Sequence, residues 1–237
     1  MNYHFAYLVG ALLFDAAWVA CYVIGKKYRP QIIWGTVVTA PLALTSFLFV
    51  PQYWTPPSLF DLDARIRVGI EDFLWAGAVG GIASVVGEIV LKERLAAHRK
   101  QPRKKHYAPF VVMLIVFLIL WFIQPNKNIY STAIAFAVCG VVVAFLRSDL
   151  IPTMLVGAAV FTILYFLLFV YFLTLYPGFI DRYYNLPNIS GIRVLGVPIE
   201  ELMFAASGGA VWSVAYEYFQ GYRFSPGQRF RLVEAKA

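Results

Sequence analysis

Seven apolar stretches dominate the chain, at about 4–24, 31–50, 70–91, 108–124, 129–146, 151–175 and 198–219. A helix that crosses a bilayer needs about 20 such residues, and inside lipid every backbone polar group must be satisfied within the segment. The pattern therefore predicts an all-α polytopic membrane protein with seven transmembrane helices. Only 14% of the 237 residues are charged and 60% are hydrophobic. That balance argues against a soluble globular domain, disorder and a coiled coil. The first stretch is not expected to be a cleaved signal peptide, because no basic residue precedes it and Asp15 interrupts its centre. Cys21 and Cys139 sit inside apolar runs and read as small hydrophobes.

The connections between stretches alternate in charge. Lys26, Lys27 and Arg29 follow the first, and Lys92, Arg94, Arg99, Lys100, Arg103, Lys104 and Lys105 follow the third. Arg147 follows the fifth, and Arg223, Arg229, Arg231 and Lys236 follow the seventh. The other side keeps Arg65, Arg67, Lys127, Arg182 and Arg193. The positive-inside rule then predicts a cell-membrane protein with its N-terminus outside and its C-terminus cytoplasmic. The net charge of +7 is mostly this topology signal, and it points to the lipid bilayer as partner rather than to nucleic acid.

The third and seventh stretches match each other. Ile70-Glu71-Asp72-Phe73-Leu74-Trp75-Ala76 aligns with Ile199-Glu200-Glu201-Leu202-Met203-Phe204-Ala205, and without a gap Gly80, Ser84, Val85 and Glu88 meet Gly209, Ser213, Val214 and Glu217. Upstream, Tyr53-Trp54-Thr55-Pro56-Pro57 corresponds to Tyr183-Tyr184-Asn185-Leu186-Pro187. The offset spans four helices, so the copies face the same way. Two parallel three-helix repeats are expected, spans 1–3 and 5–7 joined by span 4, dividing the chain at 1–107, 108–128 and 129–237.

Charged residues within the spans fall only in the first, third and seventh. Intramembrane carboxyls are costly and are functional candidates by default. Glu71-Asp72 and Glu200-Glu201 stand at the outer ends of their helices, after Gly69 and Pro198. Acidic residues in a first turn also complement the helix dipole. Their occurrence in duplicate at matching depth favours paired acid–base groups. Glu88 and Glu217 lie roughly 25 Å further along, since a helix rises 1.5 Å per residue, and read as interfacial or packing residues, paired with Lys26, Lys92 or Arg223. Asp15 stands alone at mid-span, facing protein or water. Tyr53, Trp54, Tyr183 and Tyr184 in the outer loops form an aromatic belt or line a channel in which their π faces attract a cation.

No GxGxxG, P-loop or HExxH motif is present, and His4, His98 and His106 are scattered. The seventh stretch has no lysine for a retinal Schiff base, and Asp61 and Asp63 lack a second acidic cluster with which to hold magnesium. No cofactor and no metal is expected.

Pro198-Ile199-Glu200-Glu201, preceded by Asn185-Leu186-Pro187-Asn188-Ile189-Ser190-Gly191, resembles the signature of the non-flavin membrane lycopene cyclases, which occur as two small subunits or as fused tandem domains. The first half, with Tyr53-Trp54-Thr55-Pro56-Pro57 and Gly69-Ile70-Glu71-Asp72, resembles the partner domain, without the proline and the second glutamate. The resemblance implies redox-neutral cyclisation of the ends of lycopene to β-ionone rings, an intramolecular lyase or isomerase reaction on a lipophilic isoprenoid substrate. It also implies Glu200 and Glu201 as the conserved pair, one of them the general acid. Glu71 or Asp72 would stabilise the cation or take the proton, Tyr53, Trp54, Tyr183, Tyr184, Pro198 and Asp15 would line the substrate, and other carotenoid enzymes would be associates. Other readings stay open: a cyclase-like protein acting on another isoprenoid, a non-catalytic lipid- or carotenoid-binding protein, and a small-solute transporter.

Overall fold

The computed structural model describes residues 3–91 and 107–221. The basic residues Lys92, Arg94, Arg99, Lys100, Arg103, Lys104, Lys105, Arg223, Arg229, Arg231 and Lys236, with His98 and His106, lie outside the described residues.

Each of the seven apolar stretches is helical. They form α1 (Ala6–Ile24), α2 (Arg29–Thr39) with a 3₁₀ continuation (Ala40–Leu48), α4 (Ile70–Ala83) with α5 (Val86–Leu91), α6 (Ala108–Ile123), α7 (Asn128–Leu146), α8 (Ile151–Leu175) and α10 (Ile199–Gln220). Short helices α3 (Leu62–Ile66) and α9 (Phe179–Tyr183) lie in the outer connections. Strands β1 (Arg193–Val194) and β2 (Val197–Pro198) pair antiparallel just before α10. Leu195 (φ 49) and Gly196 (φ 87) turn that hairpin, the two positive φ values that a tight β-turn of this kind needs.

Among the described residues five helices are long and apolar enough to cross a membrane: Ala6–Ile24, Lys26–Leu48, Ile70–Leu91, Asn128–Leu146 and Ser148–Leu175. Ala108–Ile123 is apolar but shorter. The α10 helix has 22 residues and is less apolar for a physical reason. It packs between α7 and α8, so its buried face contacts protein rather than lipid and carries Glu200, Glu201 and Glu217. The lipid-facing character lies elsewhere, in exposed side chains such as Val37, Leu44, Phe122, Phe145, Leu155 and Leu167. In water this apolar surface would be an aggregation hazard.

Two helix groups carry the core. In the first, α4 packs against α1 and α2 with its 3₁₀ continuation; in the second, α10 packs against α7 and α8. Small residues set the closest approaches. A Cβ on Gly35 would lie 2.8 Å from Ser84 Oγ, and one on Gly157 only 2.3 Å from Ser213 Cβ. The groups meet through α5 on α8, α1 on α8 and α10 on α4. Their outer loops also join, because Trp54 and Tyr184 form a β-bridge, with Thr55 N–H donating to Tyr183 O and Asn185 N–H to Tyr53 O. The two loop segments that match in sequence are thus hydrogen-bonded to each other.

Candidate functional site

Below that bridge the two groups enclose a cavity of about 230 Å³. Its walls come from Tyr7, Gly10 and Phe14 of α1, Trp75, Ala76 and Val79 of α4, Phe136 of α7, Tyr165, Phe169 and Phe172 of α8, and Phe204 and Trp212 of α10. Trp54 and Tyr184 lie at its outer end, and Leu42, Thr45, Ser46 and Phe49 line the side nearest the 3₁₀ segment. Leu42 and Thr45 line the cavity and are also exposed on the outer surface of the helices, so this side opens laterally. Residues three apart on a 3₁₀ helix eclipse each other, which puts both on one lip. Trp75 and Phe204 stack across the middle with ring centroids 5.8 Å apart.

Two carboxyls reach this apolar space, Asp72 and Glu201. Glu201 is caged by three phenols. Tyr53 and Tyr184 donate to its Oε1, each at 2.7 Å, and Tyr165 donates to its Oε2 at 2.6 Å. Burial, and then the Glu201 carboxylate beside them, push the Tyr53 and Tyr184 hydroxyls well above the usual phenol range. Both therefore stay protonated and serve as donors. Asp72 is held differently. Tyr7 donates to its Oδ1 at 2.6 Å, and the Gly69 N–H donates to its Oδ2 at 2.7 Å. This is the reach from the third helical residue back to the helix-capping position.

The first member of each acidic pair turns the other way. Adjacent helical residues point about 100° apart. Glu71 accepts the Leu59 N–H at 2.7 Å, and Glu200 accepts the Ser190 N–H at 2.7 Å together with the Tyr130 hydroxyl. Both are buried, and neither lines the cavity. They tie the outer loops to the helix ends.

Of the other residues singled out in the sequence, Tyr53, Trp54 and Tyr184 line the cavity. Tyr183 stands off it, against Tyr3 and Phe179. Pro198 is buried at the start of α10, and Asp15 is half-buried on α1; neither is on the cavity wall. Glu88 and Glu217, read as interfacial or packing residues, are fully buried and are both reached by the Gln31 side-chain amide, which donates to Glu88 Oε1 at 3.1 Å and to Glu217 Oε1. Lys92 and Arg223, two of the three partners foreseen for them, lie outside the described residues.

Tyr7, Tyr165 and Tyr130 are not singled out by the sequence, and Asp63 is weighed there only as a metal ligand. The tyrosines left one trace: a phenol inside an apolar run needs a hydrogen-bond partner once buried. Among the described residues no group of His, Cys, Asp and Glu side chains is arranged to hold a metal ion.

Residues 126–219 match the lycopene cyclase family model, a span that takes in Tyr130, Tyr165, Tyr184, Glu200 and Glu201 and leaves Glu71 and Asp72 outside it. No curated protein and no solved structure matches the chain.

Proposed function

We propose, for a chain whose residues 126–219 carry a lycopene cyclase family domain, that it cyclises the acyclic ends of lycopene or a closely related linear carotenoid to β-ionone rings without redox change. The observation that carries this reading is the meeting of two carboxyls from two helix groups on one aromatic, apolar cavity. Asp72 comes from the first group and Glu201, in its cage of phenols, from the second.

In this mechanism the Glu201 carboxyl gives its proton to the terminal carbon–carbon double bond. An isolated alkene is a weak base, so the acid must have a well-stabilised conjugate anion. Three hydroxyls aimed at the carboxylate that forms supply that stabilisation, in a site free of bulk water where such hydrogen bonds are strongest. The resulting tertiary cation is attacked by the neighbouring internal double bond, which closes the six-membered ring. Trp75, Phe204 and Trp54 present π faces to the positive charge while it exists. Asp72 then takes the proton from the ring carbon next to the new cation, leaving the ring double bond. One proton enters and one leaves, so the reaction needs no oxidant. Glu71 and Glu200 act by fixing the helix ends on which the reacting carboxyls sit.

The reading includes a cell-membrane protein built of seven spans, with its N-terminus outside, and two parallel repeats, α1, α2 and α4 matching α7, α8 and α10. The matching pairs of helix contacts and the matching Gly–Ser approaches support that repeat. The substrate enters from the bilayer past Leu42 and Thr45, and other carotenoid enzymes supply it through the same membrane.

The test is expression in a bacterium that accumulates lycopene, with pigments resolved by chromatography. Formation of γ- or β-carotene, lost in a membrane-inserted Glu201→Gln variant, is the expected result. Unchanged lycopene with full membrane insertion of the unaltered protein would sink the proposal.

A further inference from the structure

Three carboxyls, not two, converge at the outer end of α4. The third is Asp63 on the short helix α3, and it is fully buried. The chain reaches it through Phe60 (φ 58) and Asp61 (φ 54) and leaves it through Arg67 (φ 60), three non-glycine residues in the left-handed region. Such conformations persist only where the surroundings impose them, and they gather at functional sites. Two backbone hydrogen bonds lock the turn: Asp63 N–H donates to Ser58 Oγ at 2.8 Å, and Arg67 N–H donates to Asp63 O at 3.0 Å. Gly69 makes room for the convergence, since a Cβ there would lie 2.8 Å from Asp63 Oδ2 and 3.0 Å from Glu71 Oε2.

Neither Asp63 oxygen has a well-formed hydrogen bond from a donor among the described residues, although the Ser58 hydroxyl lies near it. Its carboxyl and that of Asp72 flank the same residue: Gly69 N–H holds Asp72 Oδ2 at 2.7 Å, and a Cβ on Gly69 would lie 2.8 Å from Asp63 Oδ2. The other titratable groups that face it are Glu71, also on α4, and the Tyr7 hydroxyl on α1. Arg65 and Arg67 on its own segment are exposed, and among the described residues no ion pair involves Asp63. A buried carboxyl with only the Ser58 hydroxyl as a nearby donor and a carboxylate neighbour has one economical state, in which it keeps its proton and gives it as a hydrogen bond.

We propose that Asp63 is a positioning residue for Asp72: as the neutral acid it donates a hydrogen bond that steadies the Asp72 carboxylate at the cavity wall. This rests on the reading of Asp72 as the group that accepts the ring proton. Burial first, and then the Asp72 charge, push the Asp63 carboxyl up to about 7, with the Ser58 hydroxyl pulling the other way. Below that pH the pair carries one negative charge and Asp72 keeps the Asp63 donor beside Tyr7, Ser46 and Gly69 N–H. Above it two carboxylates face each other, the hydrogen bond is lost and the rate falls. Stability follows the same sign: a folded-state value raised above the ordinary 3.8 stabilises below that value, and the contribution is lost as pH rises toward about 7.

Two measurements on the full-length protein in liposomes test this. In the pH–rate profile with lycopene, the wild type is expected to lose activity on the alkaline side with a midpoint about where Asp63 ionises. Asp63→Asn, whose amide donates at every pH, keeps its activity there, so at about pH 9 it outpaces the wild type roughly tenfold relative to its own rate at pH 6. Asp63→Leu, which cannot donate, falls about tenfold to a hundredfold at all pH values and shows no such limb. An Asn variant that keeps the wild-type limb, or one that folds yet is inactive throughout, overturns the proposal. So does a Leu variant with the wild-type profile. The second measurement is independent of turnover: an infrared titration in which one protonated-carboxyl band disappears near neutral pH in the wild type and is missing from Asp63→Asn. If that band is absent, the proposal fails whatever the activity. If it is present but lycopene is never converted, the cyclase reading fails while the carboxyl pair stands.

Discussion

The two cavity carboxyls sit at the same turn of sequence-matched helices and are held in unlike ways. Before α4 stands Gly69, whose N–H donates to Asp72; before α10 stands Pro198, which has no N–H to give. Asp72 is therefore a helix cap as well as a cavity wall, and its remaining partners are a single phenol, the Ser46 hydroxyl and the buried acid Asp63. Glu201 has no capping duty, and its longer side chain collects three phenols from both helix groups. One missing backbone hydrogen separates a carboxylate anchored by its own helix from one anchored by tertiary structure. The second can be tuned by distant side chains without weakening the helix start, which suits the group proposed to give up a proton to a poor base.

Several variants break or sharpen this contrast. Glu201→Gln should lower cyclisation the most, by about a thousandfold or more if it removes the general acid, with little change in thermal stability, because the amide oxygen still accepts from Tyr53 and Tyr184 while the amide N–H can donate to the Tyr165 hydroxyl. Chromatography of pigments and a melting curve in detergent read both effects. Asp72→Asn should lower the rate by about a hundredfold and also cost about 1 kcal/mol of stability as the cap weakens. If the Glu201 variant proves the less stable of the two, the contrast is wrong. Single Phe substitutions at Tyr53, Tyr165 and Tyr184 should each slow the reaction roughly tenfold, the scale of one hydrogen bond to a charged group, and the losses should not add in the triple variant. Gly69→Pro should slow the reaction more than Pro198→Gly, since the first removes a donor in use and the second adds one that Glu201 does not need. Glu71→Gln and Glu200→Gln should have the smallest effect on rate, about two- to fivefold, because each keeps an oxygen for its loop N–H.

Much of this contrast was written locally. The doubled acidic motif, the glycine against the proline, and the aromatic loops before them are all visible by aligning the chain with itself. The division of labour within each pair follows from the 100° step between neighbouring helical residues, and only the packing decides which member faces inward. The phenols were not legible because their partner is set by tertiary structure: Tyr53 lies 148 residues from Glu201, and Tyr7 lies 65 from Asp72. Asp63 was passed over because the sequence offered it no metal-binding partner, whereas its actual neighbour is another acid brought close by a left-handed turn. Nor does the 31–50 stretch announce that half of it winds as a 3₁₀ helix and carries the lip of the cavity. Gln31, an ordinary polar residue at a helix start, proves to be the link between Glu88 and Glu217.

The cavity's floor has a consequence for what leaves the protein. From Glu201 to Trp212 along α10 the depth is about 16 Å at 1.5 Å per residue, while a linear carotenoid is about as long as the ≈ 30 Å hydrocarbon core it dissolves in. On the proposed reading, about half of such a substrate would stay outside, threaded between lipid tails, while one end is worked on. Under that reading a second ring would require complete withdrawal, reversal in the bilayer and a new docking. The ratio of singly to doubly closed carotenoid is then a competition between re-docking and lateral escape, and it should shift when the same protein is diluted with lipid, although no bond-making step has changed.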